Sequence, residues 1–142
     1  MSIHIPLQLY TGIQETFTKV ITEGEAALYA GLVGGNLPCT NAEQVPDEQA
    51  DERITAHHEY LVGIIGGLLS SHLPGEGSQC VTMQYEFLAP VYCGESIEMI
   101  IEMTELNKVK HLATFRTDCF NQEKKQVITG QAIMLVPDHI LP

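Results

Sequence analysis

At 142 residues the chain is long enough for one domain with a substantial hydrophobic core. It carries 18 Asp and Glu against 7 Lys and Arg, a net charge of −11, which disfavours nucleic acid because phosphates need cationic neutralisation. Residues 1–10 lack the basic start of a signal peptide, and the apolar runs are shorter than the ~20 residues of a membrane-spanning helix. We therefore expect a cytoplasmic protein with no membrane insertion.

The cysteines and histidines show no spacing typical of a metal site. There is no CxxC, HxH or HxxxH pattern, so the sequence predicts reduced thiols rather than metal ligands or disulfides. No metal and no other cofactor is expected. The cysteines are Cys39, Cys80, Cys93 and Cys119.

The first third of the chain is predicted to hold an arm, a strand and a helix. Residues 1–12 look irregular, and the β-branched alternation over 16–22 predicts a strand. Thr22 is suited to cap a helix, because Glu25 follows three residues later as in a capping box. The helix should continue to about Leu32 and end at the glycine pair that follows.

Residues 36–52 are predicted to form a long loop, because they contain Pro38, Pro46 and several acidic residues. Long loops in compact domains are often functional or mobile. Sequence alone leaves two interpretations open, a functional loop and a solvated one.

The stretch 54–77 contains the helix around which the fold is predicted to form. From Tyr60 to Leu69 no residue is charged, so a helix here should be buried on all sides. An acidic first turn and the Pro74-Gly75 stop favour helix over strand. Its three glycines each cost about 1 kcal/mol relative to alanine. We expect them to allow a sheet or a ligand to approach closely.

Four strand-like runs follow this helix. The first alternates apolar and polar residues over 81–87 and should be half-buried. After a bend, the second places an apolar face opposite Glu98 and Glu102, and the last two cover 111–120 and 126–136. The apolar face of the second run consists of Ile97, Met99, Ile101 and Met103.

Consecutive hairpins make this sheet antiparallel, and the apolar helix must bury itself against one of its faces. The sequence therefore predicts an α+β domain in which the sheet curls round the helix. An edge strand and an apolar sheet surface would remain, so we expect a homodimer.

Three motifs in the second half of the chain are distinctive. They are Leu73-Pro74-Gly75-Glu76-Gly77, the run Tyr-Glu-Phe-Leu-Ala-Pro-Val-Tyr-Cys-Gly-Glu over 85–95, and Thr129-Gly130-Gln131-Ala132 before Val136-Pro137. By these residues the chain resembles the MaoC-like branch of the hot dog superfamily, over roughly residues 12–137. The resemblance implies a single hot dog domain over 1–142 that hydrates or dehydrates acyl thioesters of coenzyme A or a carrier protein, with (R) stereochemistry.

The catalytic loop of that family matches poorly. The family has Gly-Asp-x-Asn-Pro-x-His, whose Asp and His handle the water. Anchoring on Pro38 puts Gly35 at the Asp position and Thr40 at the His position, and a shift by one puts Asn36 and Asn41 there. Neither alignment restores a carboxylate or an imidazole.

The resemblance also assigns roles at the start of the central helix. The family's Ala-His-Gly is present as Ala56-His57, with His58 in place of the glycine. The backbone amide of His58 would hold the thioester oxygen, and Gly63, Asn36 and Pro38 would line the substrate site. His57 is the first substitute base, with Glu59 or His58 behind it. The alternative for His57 is a structural histidine that hydrogen-bonds at the helix start, and the alternative for His58 and Glu59 is a solvated or capping residue.

Three functions therefore stay open. The first is a divergent hydratase or dehydratase of acyl-CoA. The second is an inactive acyl-CoA-binding protein, or the silent subunit of a heteromer, which the residues Gly35 and Thr40 favour. The third is an acyl-CoA thioesterase, for which Glu59 is the one carboxylate placed to face the pocket from the central helix.

Overall fold

The chain folds in the predicted order, with a strand and a helix before the apolar helix and antiparallel strands after it. The computed structural model describes residues 8–34 and 55–142, so residues 1–7 and the predicted loop 36–52 lie outside the described residues. The helices are α1 (Glu23–Val33) and α2 (His58–Ser71), and a 3-10 turn covers Asp138–Ile140. The strands are β1 (Gln14–Val20), β2 (Thr55–Ala56), β3 (Gln79–Phe87), β4 (Val91–Tyr92), β5 (Ser96–Asn107), β6 (Leu112–Phe120) and β7 (Gln126–Leu135).

The strands form one main sheet in the order β1-β5-β6-β7-β3, in which every neighbouring pair is antiparallel. This confirms the predicted antiparallel sheet and leaves β1 and β3 at its edges. The remaining two strands, β2 and β4, pair with each other, Thr55 opposite Tyr92 and Ala56 opposite Val91. The predicted bend after β3 therefore contains a short strand that meets the residues leading into α2.

The described part of the predicted arm is irregular, as expected, but it is anchored to the domain. Leu9 is 1% exposed, and its amide donates to the carbonyl of Ile140 at 2.9 Å. Burying a leucine side chain contributes about 1.5–3 kcal/mol. Residues 8–12 thus belong to the folded domain.

Helix α1 begins and ends where the sequence predicts. The Thr22 hydroxyl accepts the amide of Glu25 at 3.1 Å, and Gly34 closes the helix with φ 71°. Glycine tolerates this left-handed conformation without steric cost, which is why the helix stops there. The cap satisfies one of the amides that have no carbonyl partner in the first turn.

The core is built by α2 and the inner face of the sheet. Leu61, Ile65 and Leu69 are fully buried and recur at the spacing of one helix face. They share one hydrophobic cluster with the apolar face of β5, which is fully buried as predicted. That face consists of Ile97, Met99, Ile101 and Met103.

The prediction that α2 is buried on all sides is wrong for the single chain. The sheet covers one face only, so Gly63 and Gly67 are exposed. A Cβ added at either would meet nothing within 4 Å among the described residues, whereas one at Gly66 would lie 3.7 Å from Cε of Met83. Among the described residues, Gly66 thus has one neighbour at ordinary van der Waals distance, and the close packing expected of the three glycines is not seen in the single chain.

The prediction that β3 is half-buried is also wrong for the single chain. Val81 is 54% exposed, Met83 37% and Phe87 44%. The reason is topological: β3 is an edge strand whose one neighbour in the sheet is β7. Alternation correctly identifies the apolar face of this strand, but nothing in the described chain covers that face completely.

Gly130 explains how β3 packs so closely on β7. A Cβ there would overlap the carbonyl oxygen of Gln84 and lie 2.7 Å from Cα of Tyr85. The absence of a side chain lets the ring of Tyr85 cross the β7 backbone at this point. In the part of the chain that the structure describes, no helix is long and apolar enough to cross a membrane.

Candidate active site at the start of helix α2

The start of α2 is fixed by the small two-stranded pairing before it. Ala56 and Val91 face each other across β2 and β4, and both are buried. The chain then turns at His57, the N-cap residue, with φ −68° and ψ 132°. His58 is the first helical residue. The two histidines therefore stand where the backbone amides of a helix have no intrahelical partner and the helix dipole is positive.

His58 is held by two contacts. Its Nε2 lies 2.6 Å from the carbonyl oxygen of Ala89, and its ring stacks on Phe87 with a centroid distance of 4.8 Å and an interplanar angle of 16°. Since a carbonyl oxygen only accepts, Nε2 must donate and carries a proton. The ring thus bridges the start of α2 and the segment that leaves β3.

His57 packs differently from its neighbour. Its side chain makes no hydrogen bond that caps α2, and the interpretation as a structural histidine at the helix start stays a prediction. Its ring lies 6.1 Å from the ring of Tyr29 on α1, and Tyr29 in turn lies 5.5 Å from Tyr60 on α2. These aromatic contacts join α1 to the first turn of α2.

Glu59 is exposed in the first turn of α2. A carboxylate at this end of a helix is favourable because it opposes the positive pole of the dipole. In the single chain its surroundings match the solvated interpretation rather than a carboxylate enclosed by a pocket.

A network that the sequence did not predict lies beside this turn. The hydroxyl of Tyr60 donates a hydrogen bond to the Glu25 carboxylate, and Lys19 Nζ lies 2.7 Å from the same carboxylate oxygen. Lys19 and then Tyr60 hold the pKa of Glu25 below its ordinary value. Burial, and then the hydrogen bond to the Glu25 carboxylate, raise the pKa of the Tyr60 hydroxyl. The network ties β1, α1 and α2 together.

The remaining predicted site residues divide into two groups. Gly63 lies on the open face of α2, about one and a half helical turns after the histidines. Asn36 and Pro38, and the positions Gly35 and Thr40, lie outside the described residues. Among the residues that are described, no three His, Cys, Asp or Glu side chains are grouped to hold a metal ion.

A separate groove of about 370 Å³ lies on β3, β6 and β7. It contains none of the residues predicted for the site. Arg116 in this groove is paired with Asp118 at 2.9 Å, and Asp118 also accepts from Gln126 and Thr129. The groove is lined by Gln84, Glu86, Arg116, Thr129, Gly130 and Gln131.

The contacts of His58 and Tyr60 were missed because no local signal encodes them. Ala89 is 31 residues from His58, and Glu25 is 35 residues from Tyr60. Sequence spacing detects neighbours on one helix or strand, whereas these pairs form only when α1 and the end of β3 fold against α2. The sequence predicts that the chemistry lies at the first turn of α2, and this placement stays a prediction.

Two curated relatives are similar to the chain over most of its length. No protein-family model matches the chain. The chain is 30% identical over 135 residues to an (R)-specific enoyl-CoA hydratase of Rhodospirillum rubrum, with 95% of the chain and 93% of that protein covered. It is 30% identical over 129 residues to an (R)-specific enoyl-CoA hydratase of Aeromonas caviae, with 91% and 96% covered.

The fold is similar as well. The solved structure of an (R)-hydratase from Aeromonas caviae involved in PHA biosynthesis superposes with a TM-score of 0.81 at 29% identity. The superposition covers 91% of this chain and 98% of that one. The α+β hot dog fold expected from the motifs is thereby confirmed.

Proposed function

The chain belongs to the family of (R)-specific enoyl-CoA hydratases, and we propose that it interconverts an enoyl thioester and the (R)-3-hydroxyacyl thioester by adding or removing water. The observation that carries the proposal is the near full-length similarity to a hydratase, 95% of this chain against 93% of that protein. Both named relatives act on coenzyme A thioesters, which favours coenzyme A over a carrier protein. A cytoplasmic location stays a prediction.

The first turn of α2 supplies the electrophilic half of this chemistry. Attack of water on C3 of an enoyl thioester pushes negative charge onto the thioester oxygen, and preorganised donors stabilise that charge. We place the oxygen at the His58 amide, with Gly63, Asn36 and Pro38 lining the acyl-pantetheine site. A backbone donor acts whatever the side chain, so this half of the site persists although His58 replaces glycine.

The proton-transfer half of the reaction lacks the general base that the family's catalytic loop would supply. Gly35 and Thr40 cannot take a proton from water, and loss of a general base costs about 10²- to 10⁴-fold in rate. A substitute must come from groups near the thioester. His57 and Glu59 flank the amide of His58 in sequence and remain candidate acceptors in this proposal.

We further propose that the working form is a homodimer. In the single chain the apolar side chains of Val81, Met83 and Phe87 are substantially exposed on edge strand β3, next to the open face of α2 that carries Gly67. A second copy would cover this apolar surface and satisfy the unpaired backbone of β3. Sedimentation at micromolar concentration should give twice the 15.6 kDa chain mass, and a monomer would overturn the dimer.

The reaction is tested by following the enoyl absorbance of crotonyl-CoA and longer enoyl-CoA thioesters after adding purified protein. We expect the absorbance to fall and the product to be the (R)-3-hydroxyacyl thioester. A chiral analysis of the product excludes the opposite stereochemistry. Rates equal to buffer for every chain length would reject the hydratase function.

A second function is favoured by one observation, the absence of a carboxylate and an imidazole at Gly35 and Thr40. In this case the chain binds an acyl thioester without converting it, alone or as the silent subunit of a heteromer. Saturating acyl-CoA would then raise the melting temperature while the thioester stays intact. Thiol release detected with an Ellman-type reagent, and lost in Glu59→Gln, would instead indicate a thioesterase.

A further inference from the structure

The side chain of His58 is oriented from two sides. Ala89 is 7% exposed, and its carbonyl oxygen lies 2.6 Å from Nε2. A hydrogen bond in such a desolvated place is stronger than one in water. The stacking on Phe87, 4.8 Å between centroids, restricts rotation about the remaining side-chain bond. An imidazole that served only to cover the helix end would need neither constraint.

These contacts determine which nitrogen can accept a proton. The two ring nitrogens of a neutral histidine divide the roles of donor and acceptor, and the partner of one nitrogen sets the role of the other. Because the Ala89 carbonyl requires a proton on Nε2, Nδ1 carries the lone pair. A base whose second nitrogen is held by a fixed acceptor is the arrangement that enzymes use to activate a nucleophile.

We propose that the imidazole of His58 is the proton-transfer group of this enzyme, an inference that rests on the proposed hydratase function. In hydration, Nδ1 takes a proton from water while the water oxygen bonds to C3 and the C2–C3 π electrons move onto the thioester oxygen. The enolate then returns its electron pair to C2, which takes the proton back from Nδ1. The sum is one water added and an unchanged imidazole, and dehydration is the reverse.

One residue can serve both halves because its groups are close to each other. The backbone nitrogen and Nδ1 of a histidine are separated by a few covalent bonds, as are the thioester oxygen and C3 of the substrate. The inference therefore requires that C3 lie beside the same residue's ring when the thioester oxygen is held on the His58 amide. Fixed placement of the reacting groups is itself a large part of the rate enhancement.

The other ionisable groups near this turn fit the role less well. Glu25 already binds Tyr60 and Lys19 through its carboxylate, and its lowered pKa makes it a weaker base. Glu59 is exposed on the single chain. The ring of His57 faces Tyr29 on α1. The hydrogen bond of His58 to the Ala89 carbonyl orients a basic nitrogen.

The test compares two variants of His58 in the full-length protein. His58→Gln keeps a side-chain donor for the Ala89 carbonyl but has no basic nitrogen, whereas His58→Gly leaves space for a small base. We expect kcat to fall about 10²- to 10⁴-fold in both, with a much smaller change in KM. Added imidazole should raise kcat of His58→Gly and leave His58→Gln unchanged.

The control is His139→Ala, which removes an exposed histidine from the 3-10 turn and should keep full activity with or without imidazole. A His58→Gln enzyme of nearly normal kcat would show that the ring only supports the fold and would overturn the inference. So would a His58→Gly enzyme that folds but is not rescued. If the unaltered protein hydrates no enoyl thioester, the proposed function fails first and the inference falls with it.

Discussion

Strands β5 and β3 belong to one sheet, and both alternate apolar and polar residues, yet they end in different environments. On β5 the inward residues Met99 and Ile101 are fully buried, whereas on β3 Val81 and Met83 are 54% and 37% exposed. Strand β5 has β1 on one side and β6 on the other, while β3 has β7 alone. The two strands differ in position in the sheet rather than in local pattern.

The difference shows what alternation can report. A period of two identifies which face of a strand is apolar, but burial depends on whether another layer covers that face. For β5 the cover is α2 of the same chain. For β3 we propose that it is a second copy of the chain, so the apolar pattern of this strand was selected for an interface rather than for the core of the monomer.

The largest expected effect comes from a matched pair of methionines. Met99→Ala should lower the free energy of unfolding by about 2–5 kcal/mol, because it leaves a cavity in a closed core. Met83→Ala removes the same atoms from a partly exposed site and should cost clearly less. Urea titrations at several protein concentrations measure both.

The concentration dependence distinguishes the two positions further. Stability that comes from association varies with protein concentration, so the loss in Met83→Ala should change with dilution more than the loss in Met99→Ala. Equal losses that are independent of concentration would mean that β3 is covered within its own chain.

A second substitution, Gly67→Ala on α2, tests whether a side chain on this face raises or lowers the stability of the protein. In the single chain, alanine at position 67 meets nothing within 4 Å, and it would favour the helix by about 1 kcal/mol. If a second copy packs against this face, Gly67→Ala should instead destabilise the dimer by about 1–3 kcal/mol through overpacking. We expect destabilisation, measured as a lower melting temperature and a weaker dimer.

The matched control is Gly66→Ala, one position along the helix. Its Cβ would lie 3.7 Å from Met83 Cε, an ordinary contact, so we expect it to be neutral or mildly stabilising. Stabilisation by Gly67→Ala would show that the face of α2 is open to solvent, and that a second copy binds elsewhere.

Much of the fold could be predicted because its signals are local. The Thr22 cap, the Gly34 stop and the strand periods each depend on residues a few positions apart, and each appears in the structure. The wrong predictions concern burial, because the sequence predicted α2 to be buried on all sides and β3 to be half-buried. Burial by a second layer is a long-range property that a period in the sequence does not contain.

The candidate site divides in the same way. The motif resemblance pointed to the first turn of α2 and to His57, His58 and Glu59. His58 is distinguished by its contacts with the carbonyl of Ala89 and the ring of Phe87, which come from the far end of β3. A histidine becomes an oriented base only through such partners, so the sequence could name the residues but could not rank them.

The smallest effect compares a buried thiol on β6 with an exposed one on β3. Burial raises the pKa of Cys119 from its ordinary value of 9.0 to about 12. Between these values the unfolded chain loses the thiol proton while the folded chain keeps it, so stability is complete below pH 9 and falls as pH rises, by up to about 1.4 kcal/mol per pH unit.

Denaturation from pH 8 to pH 10.5 should show less of this fall in Cys119→Ala. Cys80→Ala, on the exposed edge strand, should keep most of the fall in stability. Burial also raises the pKa of Tyr85 to about 12, and any contribution of Tyr85 to the fall should persist in both variants. A fall that is unchanged in Cys119→Ala would mean that the interior of the sheet admits water at β6, and the contrast between the central and edge strands would be weaker than the structure indicates.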